Sequence, residues 1–333
     1  MLTNADLRYH YHPQKGWMND PNGLCEFKGE YHFFYQHSSN FEYPWQEPME
    51  WGHCRTRDFL NYEELPNALS SDKEYDKGGV WSGTAVEKDG MLYLFYASVD
   101  TAGKQTISVS YSKDGINFEK YENNPIIRDY PADGSRDFRD PAILVCEHGM
   151  FLVVASADVK KGTGNLLLYR GDDFFNWHYV GVLYEYEDRK YCECPSFVPH
   201  GDGYILSTSV MKHDETHYFE VMYGDFDGTR FVPEVVSHFQ KGPDEYAGQI
   251  FHAKDGRNIL ISWVPGWNYQ PKEKCIGCLS LPLELSVKDG VMRAYPIREV
   301  RHLLEADDTF TDAYIKETFV RGGEEVYINV VEK

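Results

Sequence analysis

Five segments of the chain repeat one pattern: KGEYHFFYQ around Gly29, DGMLYLFYA around Gly90, HGMFLVVAS around Gly149, GDGYILSTS around Gly203 and DGRNILISW around Gly256. Each is a turn glycine followed by a short run of aromatic and branched residues, as in a hairpin feeding a buried strand. The glycines are 61, 59, 54 and 53 residues apart. A second marker keeps the period. An Asp with an aromatic four residues later recurs at Asp58/Tyr62, Asp114/Phe118, Asp173/Trp177 and Asp227/Phe231, standing 29, 24, 24 and 24 residues after the matching glycine. Two markers in phase are hard to obtain by chance, and no long stretch carries helical periodicity. Each unit therefore reads as a few short antiparallel strands, four being the blade of a β-propeller. The expected fold is all-β: one five-bladed propeller over residues 1–300, closed into a ring that leaves few sheet edges exposed. Residues 301–333 are too few for a β-sandwich of ~100 residues and read as a tail packed on the propeller.

Charge and composition remove several classes of function. With 53 acidic residues against 33 basic ones, the formal charge is −20. Phosphate backbones and anionic membranes repel such a chain, so neither nucleic acid nor membrane is expected as a partner. Disorder is excluded too, because 15% of the residues are aromatic. The N-terminal stretch MLTNADLRYHYHPQKGW lacks the apolar core of a signal peptide, and no later run approaches the ~20 apolar residues of a membrane span. A cytoplasmic location is the expectation. Seven scattered cysteines do not form a disulfide framework. Cys192 and Cys194 with Cys275 and Cys278 have the number but not the spacing of a zinc site, so buried thiols and no metal are expected.

Counting back from the marker glycines turns architecture into chemistry. Nine residues before Gly29, Gly90 and Gly149 stand Asp20, Trp81 and Asp140; ten before Gly203 and Gly256 stand Glu193 and Tyr246. Equivalent positions near the starts of inner strands gather at one mouth of a propeller. Asp20 and Asp140 each precede a proline and singly read as turn caps, but three acids in one phase read as a site. Crowded carboxyls shift one another's pKa, which is what glycoside hydrolysis uses: one attacks or activates water while another protonates the leaving oxygen. Trp17, Trp45, Trp51, Trp81 and Trp267 lie near repeat starts or in long connections, where aromatic rings suit the apolar faces of sugars.

WMNDPNG at 17–23, FRDP at 138–141 and ECP at 193–195 together resemble glycoside hydrolase family 32, the invertase and fructan hydrolase family. The likeness extends through Gln36, MEWGHCRTRDFLNYEELPNAL, WSGTAV, DEYAGQ, GRNILISW and GCLSLPLEL, over about residues 10 to 300. It implies a five-bladed propeller of retaining β-fructosidases, in agreement with the repeat count. It also implies that Asp20 is the nucleophile, Glu193 the acid/base and Asp140 the transition-state stabiliser. Asn19, Gln36, Trp45, Ser82, Arg139, Tyr246 and Trp267 match fructose-pocket positions, with Trp17 and Trp81 added as aromatic walls. Cys192 stands where the family has an aromatic, Ser196 where it has Asp, and Trp81 where Phe is more usual. Most members carry a C-terminal β-sandwich, which is not expected here; the face it would cover is open to self-association as a homo-oligomer.

The implied activity is an invertase-like β-fructofuranosidase that removes terminal β-D-fructofuranosyl units from sucrose or short fructooligosaccharides, with no cofactor. Three alternatives stay open at this level: a fructosyltransferase with the same residues, an inverting arabinanase-like hydrolase, and a non-catalytic sugar-binding propeller. Sucrose 6-phosphate also remains open. It would need cations on the leaving-group side, and Lys160, Lys161, Arg189 and Lys190 read instead as solvated surface charges.

Overall fold

The structure, a computed structural model, describes residues 4–39, 47–158, 160–186, 191–214, 216–268 and 277–331. Its strands form five successive antiparallel sheets and a sixth, smaller one. The first sheet contains β1 (Trp17–Phe27), β2 (Glu30–Ser38), β3 (Glu50–Thr56) and β4 (Tyr62–Leu69). The second contains β5 (Gly79–Lys88), β6 (Met91–Val99), β7 (Gln105–Ser112) and β8 (Glu119–Lys120). In the third are β9 (Arg139–Cys146), β10 (Gly149–Asp158), β11 (Thr163–Gly171) and β12 (Trp177–Glu185), and in the fourth β13 (Tyr191–His200), β14 (Gly203–Met211), β15 (His217–Phe226) and β16 (Phe231–Ser237). The fifth holds β17 (Tyr246–His252), β18 (Asn258–Val264), β19 (Cys278–Leu279), β20 (Leu283–Lys288) and β21 (Val291–Pro296). Among the described residues helix is limited to three 3₁₀ turns, none long enough to cross a membrane.

The first strand of each sheet packs on the first strand of the next: β1 on β5, β5 on β9, β9 on β13, β13 on β17, and β17 back on β1. These contacts close a ring of five blades. A separate apolar cluster fills each gap between blades, because both faces of the middle strands are buried. Leu92, Leu94 and Tyr96 of β6 pack towards the first blade, while Phe95 and Ala97 pack towards the third.

Both sequence markers have local causes. Lys28 and Gly29 (φ 51° and 80°) and Asp89 and Gly90 (φ 53° and 76°) form hairpin turns with positive φ at both central residues, the geometry that matches strand twist. In the fourth repeat Gly201 (φ 58°) makes the turn and Gly203 opens β14. The marker aspartates sit between the third and fourth strands of their blades. Asp58, Asp114, Asp173 and Asp227 each accept at Oδ1 from the backbone N–H groups two and three residues on, which folds the chain back as an Asx turn. The aromatic that follows, Tyr62, Phe118, Trp177 or Phe231, then packs into the gap shared with the preceding blade.

Beyond the fifth blade, β22 (Thr309–Asp312), β23 (Ile315–Val320) and β24 (Glu325–Val330) make a three-stranded sheet. Phe310, Ile315, Phe319, Val326 and Ile328 share the cluster between the fourth and fifth blades. This sheet also grips the N-terminal segment. Asp312 accepts backbone N–H groups of Arg8, Tyr9 and His10, and the His10 ring bridges Asp312 and Glu317 at 3.0 Å each. Burial opposes the charged imidazole, but the two carboxylates carry its pKa up to about 9.

Candidate active site

All five inner strands lose register at the same end of the ring. The breaks lie between Met18 and Pro21, Trp81 and Gly83, Arg139 and Ala142, Glu193 and Ser196, and Tyr246 and Gln249. At each of these breaks one extra residue bulges from the inner strand, and β1 bulges again between Asn22 and Cys25; a bulge re-aims side chains out of the strand's alternation. Asp140, Cys194 and Ala247 occupy the left-handed region in three of these bulges (φ 54°, 49° and 53°). The register sets Glu193 level with Arg139 and Tyr246, and Asp140 level with Cys194, so the count from the turn glycines is one residue loose. The bulges nevertheless turn Asp140 and Glu193 into one space.

That space is a cavity of about 290 Å³ lined by Asn19, Asp20, Gln36, Trp81, Ser82, Arg139, Asp140, Glu193, Tyr246 and Trp267. Trp17 lies behind this wall, 1% exposed, and donates from Nε1 to Asn19 Oδ1 at 2.9 Å. Its indole orients the polar wall instead of forming it. Trp45 lies outside the described residues, as do Cys275, Arg189 and Lys190. Trp51 is core: it is fully buried and donates to the Trp81 carbonyl.

Asp20 is held at both oxygens. Ser82 Oγ donates to Oδ2 at 2.7 Å, Asn19 Nδ2 to Oδ1 at 3.0 Å, and Cys194 Sγ approaches Oδ2 at 3.5 Å. Burial raises the Asp20 pKa, the Ser82 hydrogen bond counters it, and the neighbouring Glu193 raises it again. Glu193 is held at both oxygens. Arg139 Nη2 donates to Oε1 at 2.8 Å and the Tyr246 hydroxyl to Oε2 at 2.6 Å. With 13% and 21% of their side chains exposed, Arg139 and Glu193 both face the cavity.

Asp140 accepts the Cys194 backbone N–H at 2.9 Å. Burial pushes its pKa up to about 7; Arg139 works against the rise and Glu193 adds to it. An unfolded Asp ionises near pH 4, whereas here the buried acid resists ionising until about pH 7. Ionisation therefore withdraws stability as pH climbs through that window. Asn tolerates the left-handed backbone at this position and can keep the Cys194 bond. Asp140→Asn is expected to melt with wild type near pH 4 and several degrees above it at pH 8, by calorimetry at both values. A pH-independent difference would contradict the burial argument.

Three wall residues carried no repeat signal: Gln105, Asp137 and Tyr191. Gln105 opens a third-position partner strand, β7, and fastens the RDP turn by accepting from the Phe138 backbone at 2.9 Å. Asp137 accepts from Arg139 Nη1 at 3.2 Å. Tyr191 stands two residues before Glu193 on β13, so strand alternation was the signal that could have found it. The departures beside Glu193 also have places. Cys192 points away into the cluster between the third and fourth blades, and Ser196 Oγ accepts the Ile250 N–H, tying β13 to β17. Trp81 Nε1 donates to Glu47 Oε1 at 2.8 Å, which fixes the indole at the rim. Among the described residues no group of three or more His, Cys, Asp or Glu could hold a metal ion.

The sequence profile of the glycosyl hydrolases family 32 N-terminal domain matches residues 10–296. The chain belongs to glycoside hydrolase family 32. Sucrose-6-phosphate hydrolase of Zymomonas mobilis is 35% identical over 330 residues, covering 90% of this chain and 63% of that protein. Raffinose invertase of Escherichia coli is 34% identical over 317 residues, covering 89% and 65%. This family 32 chain thus spans a little under two thirds of the length of those curated relatives. Among solved structures, the Bombyx mori β-fructofuranosidase shares the fold at a TM-score of 0.85 with 24% identity, over 98% of this chain and 90% of that one. Sucrose-6-phosphate hydrolase from Lactobacillus gasseri gives 0.79 with 26% identity, over 93% and 67%.

Proposed function

We propose that the chain hydrolyses terminal β-D-fructofuranosyl units of sucrose or short fructooligosaccharides by double displacement with retention. One observation carries this reading: Asp20, Asp140 and Glu193, from three different blades, line one cavity. At about 290 Å³ the cavity is at the small end of ligand sites and suits one terminal ring better than the middle of a polymer. Relatives named sucrose-6-phosphate hydrolase, raffinose invertase and levanase support the substrate class.

In this scheme Asp20 attacks the anomeric carbon while Glu193 gives a proton to the departing oxygen. Ser82 and Asn19 donate to Asp20 and so favour the ionised form that attack requires, against the cost of burial. Asp140 accepts fructose hydroxyls in bonds that strengthen as oxocarbenium charge develops. Arg139 and Tyr246 hold Glu193 in a fixed position for both its roles. Water, activated by Glu193 in the second step, then releases fructose. No metal or organic cofactor enters the scheme.

Methanol trapping tests the stereochemistry directly. With sucrose in dilute methanol, NMR is expected to show methyl β-D-fructofuranoside as the first transfer product. The α-anomer would replace the retaining scheme with a single displacement, and inactivity on every fructoside would sink the hydrolase reading.

A further inference from the structure

Two carboxyl oxygens are left over in the seam between the fifth blade and the C-terminal sheet. Among the described residues, neither Glu245 Oε1 nor Glu317 Oε2 meets a hydrogen-bond donor, and both side chains are buried. Their other oxygens are taken. Gln240 Nε2 donates to Glu245 Oε2 and to Ser262 Oγ, while Glu317 Oε1 accepts the Leu281 N–H at 2.9 Å and meets the His10 ring at 3.0 Å. Ser262 is bonded in turn to Ser280, the neighbour of Leu281, so the two carboxyls meet around one serine. Two open acceptors need one hydrogen between them, and a protonated carboxyl supplies it. The cationic His10 ring suits a carboxylate at Glu317, whereas the donors around Glu245 are neutral. Burial, then the Glu317 charge, hold the Glu245 carboxyl well above its usual range; the Ser262 hydroxyl works against them and Asp244 with them. Asp312, the remaining acid of this seam, is committed to His10 and the N-terminal backbone.

The place of Glu245 in the chain gives this proton a task. The next residue, Tyr246, donates its hydroxyl to Glu193 at 2.6 Å. Ala247 follows with a left-handed backbone (φ 53°), which a non-glycine residue keeps only where its surroundings over-determine it. The Glu245 backbone also packs under Gly266, where an added Cβ would stand 3.0 Å from the Glu245 carbonyl carbon, and Gly266 opens the turn that carries Trp267. From the tail, β24 holds the approach to this point. The Val326 N–H donates to the Phe239 carbonyl, the Lys241 N–H to the Val326 carbonyl and the Val330 N–H to Asp244 Oδ2, at 2.8, 2.7 and 2.8 Å. Two walls of the pocket, Tyr246 and Trp267, thus rest on residue 245, and residue 245 rests on the tail.

We propose that Glu245 is a positioning residue for the acid/base, a neutral acid whose one proton, shared with Glu317, locks the tail sheet to the strand start that carries Tyr246. The inference rests on the fructosidase reading, in which Tyr246 holds Glu193. Glu245→Met keeps the side chain's length but has no proton to give. It is expected to lower kcat on sucrose about tenfold to a hundredfold with KM little changed, the scale on which a displaced catalytic group is felt. On p-nitrophenyl β-D-fructofuranoside, whose leaving group needs little protonation, the loss should be much smaller. Glu245→Gln, whose amide N–H replaces the acid O–H, should restore sucrose turnover. Full activity in Glu245→Met, equal losses on both substrates, or a Glu245→Gln as slow as Glu245→Met overturns the proposal. Infrared difference spectra of wild type against Glu245→Gln at neutral pH decide the proton without turnover, even where Glu245→Met does not fold. A protonated-carboxyl band lost in the variant is expected, and a spectrum without it overturns the shared proton. Inactivity of wild type on both substrates removes the fructosidase reading instead, and with it the role of Glu245 but not its proton.

Discussion

Asp20→Asn is expected to lower the rate of sucrose hydrolysis by about four to six orders of magnitude, the scale on which a covalent nucleophile is lost. The fold should survive, because the exchange is nearly isosteric and the amide can still accept from Ser82. It also removes a buried carboxylate whose ionisation is opposed by burial and by Glu193. The variant should therefore melt no lower than wild type at pH 7, which separates lost chemistry from lost structure. Initial rates of glucose release, taken beside a thermal melt, make the measurement. Activity within tenfold of wild type would mean that another group attacks. Asp20→Ala supplies the stereochemical counterpart: azide entering the vacated space displaces the leaving group once and gives the inverted α-fructosyl azide.

Glu193→Ala is expected to cost about two to four orders of magnitude on sucrose, the range for a positioned acid/base. The loss should shrink on p-nitrophenyl β-D-fructofuranoside, whose leaving group needs little help from a proton. Formation of the fructosyl-enzyme then outpaces its breakdown, and azide, which needs no general base, takes over the second step. Two displacements at one carbon restore the starting configuration, so the azide product carries the β-anomer. An α-azide from this variant would mean that no covalent intermediate had formed on Asp20. Truncation also frees Arg139 and Tyr246 from their shared partner. Glu193→Gln, which keeps both contacts, therefore tells whether proton transfer or the network accounts for the loss.

Much of this was legible in the sequence because propeller blades are local objects. The turn glycines and the Asx-turn aspartates are each fixed by a few neighbouring residues, so they recur wherever a blade recurs. Asp20, Asp140 and Glu193 could be gathered by phase for the same reason. What phase could not supply was the bulge in each inner strand, since an extra residue is defined only against its hydrogen-bonded partner. That is why Arg139 and Glu193 proved level where Asp140 and Glu193 were counted together. Gln105 was illegible on different grounds, because it reaches the pocket from a strand of another order in its blade. Trp17 shows the converse: its place in the WMNDPNG motif marks it for the site without saying that its ring stands behind Asn19.

The grip of Asp312 and Glu317 on His10 joins residues 302 and 307 positions apart. A ribosome adding about 5 to 20 residues per second needs roughly 15 to 60 s to cover that distance. For about three quarters of that interval, roughly 11 to 45 s at the same rate, Phe33 and Tyr35 wait for Ile259 and Ile261, their partners across the final seam. The earliest apolar surface made is thus among the last covered, and a nascent chain of this design depends on shielding at its first blade more than at any later one.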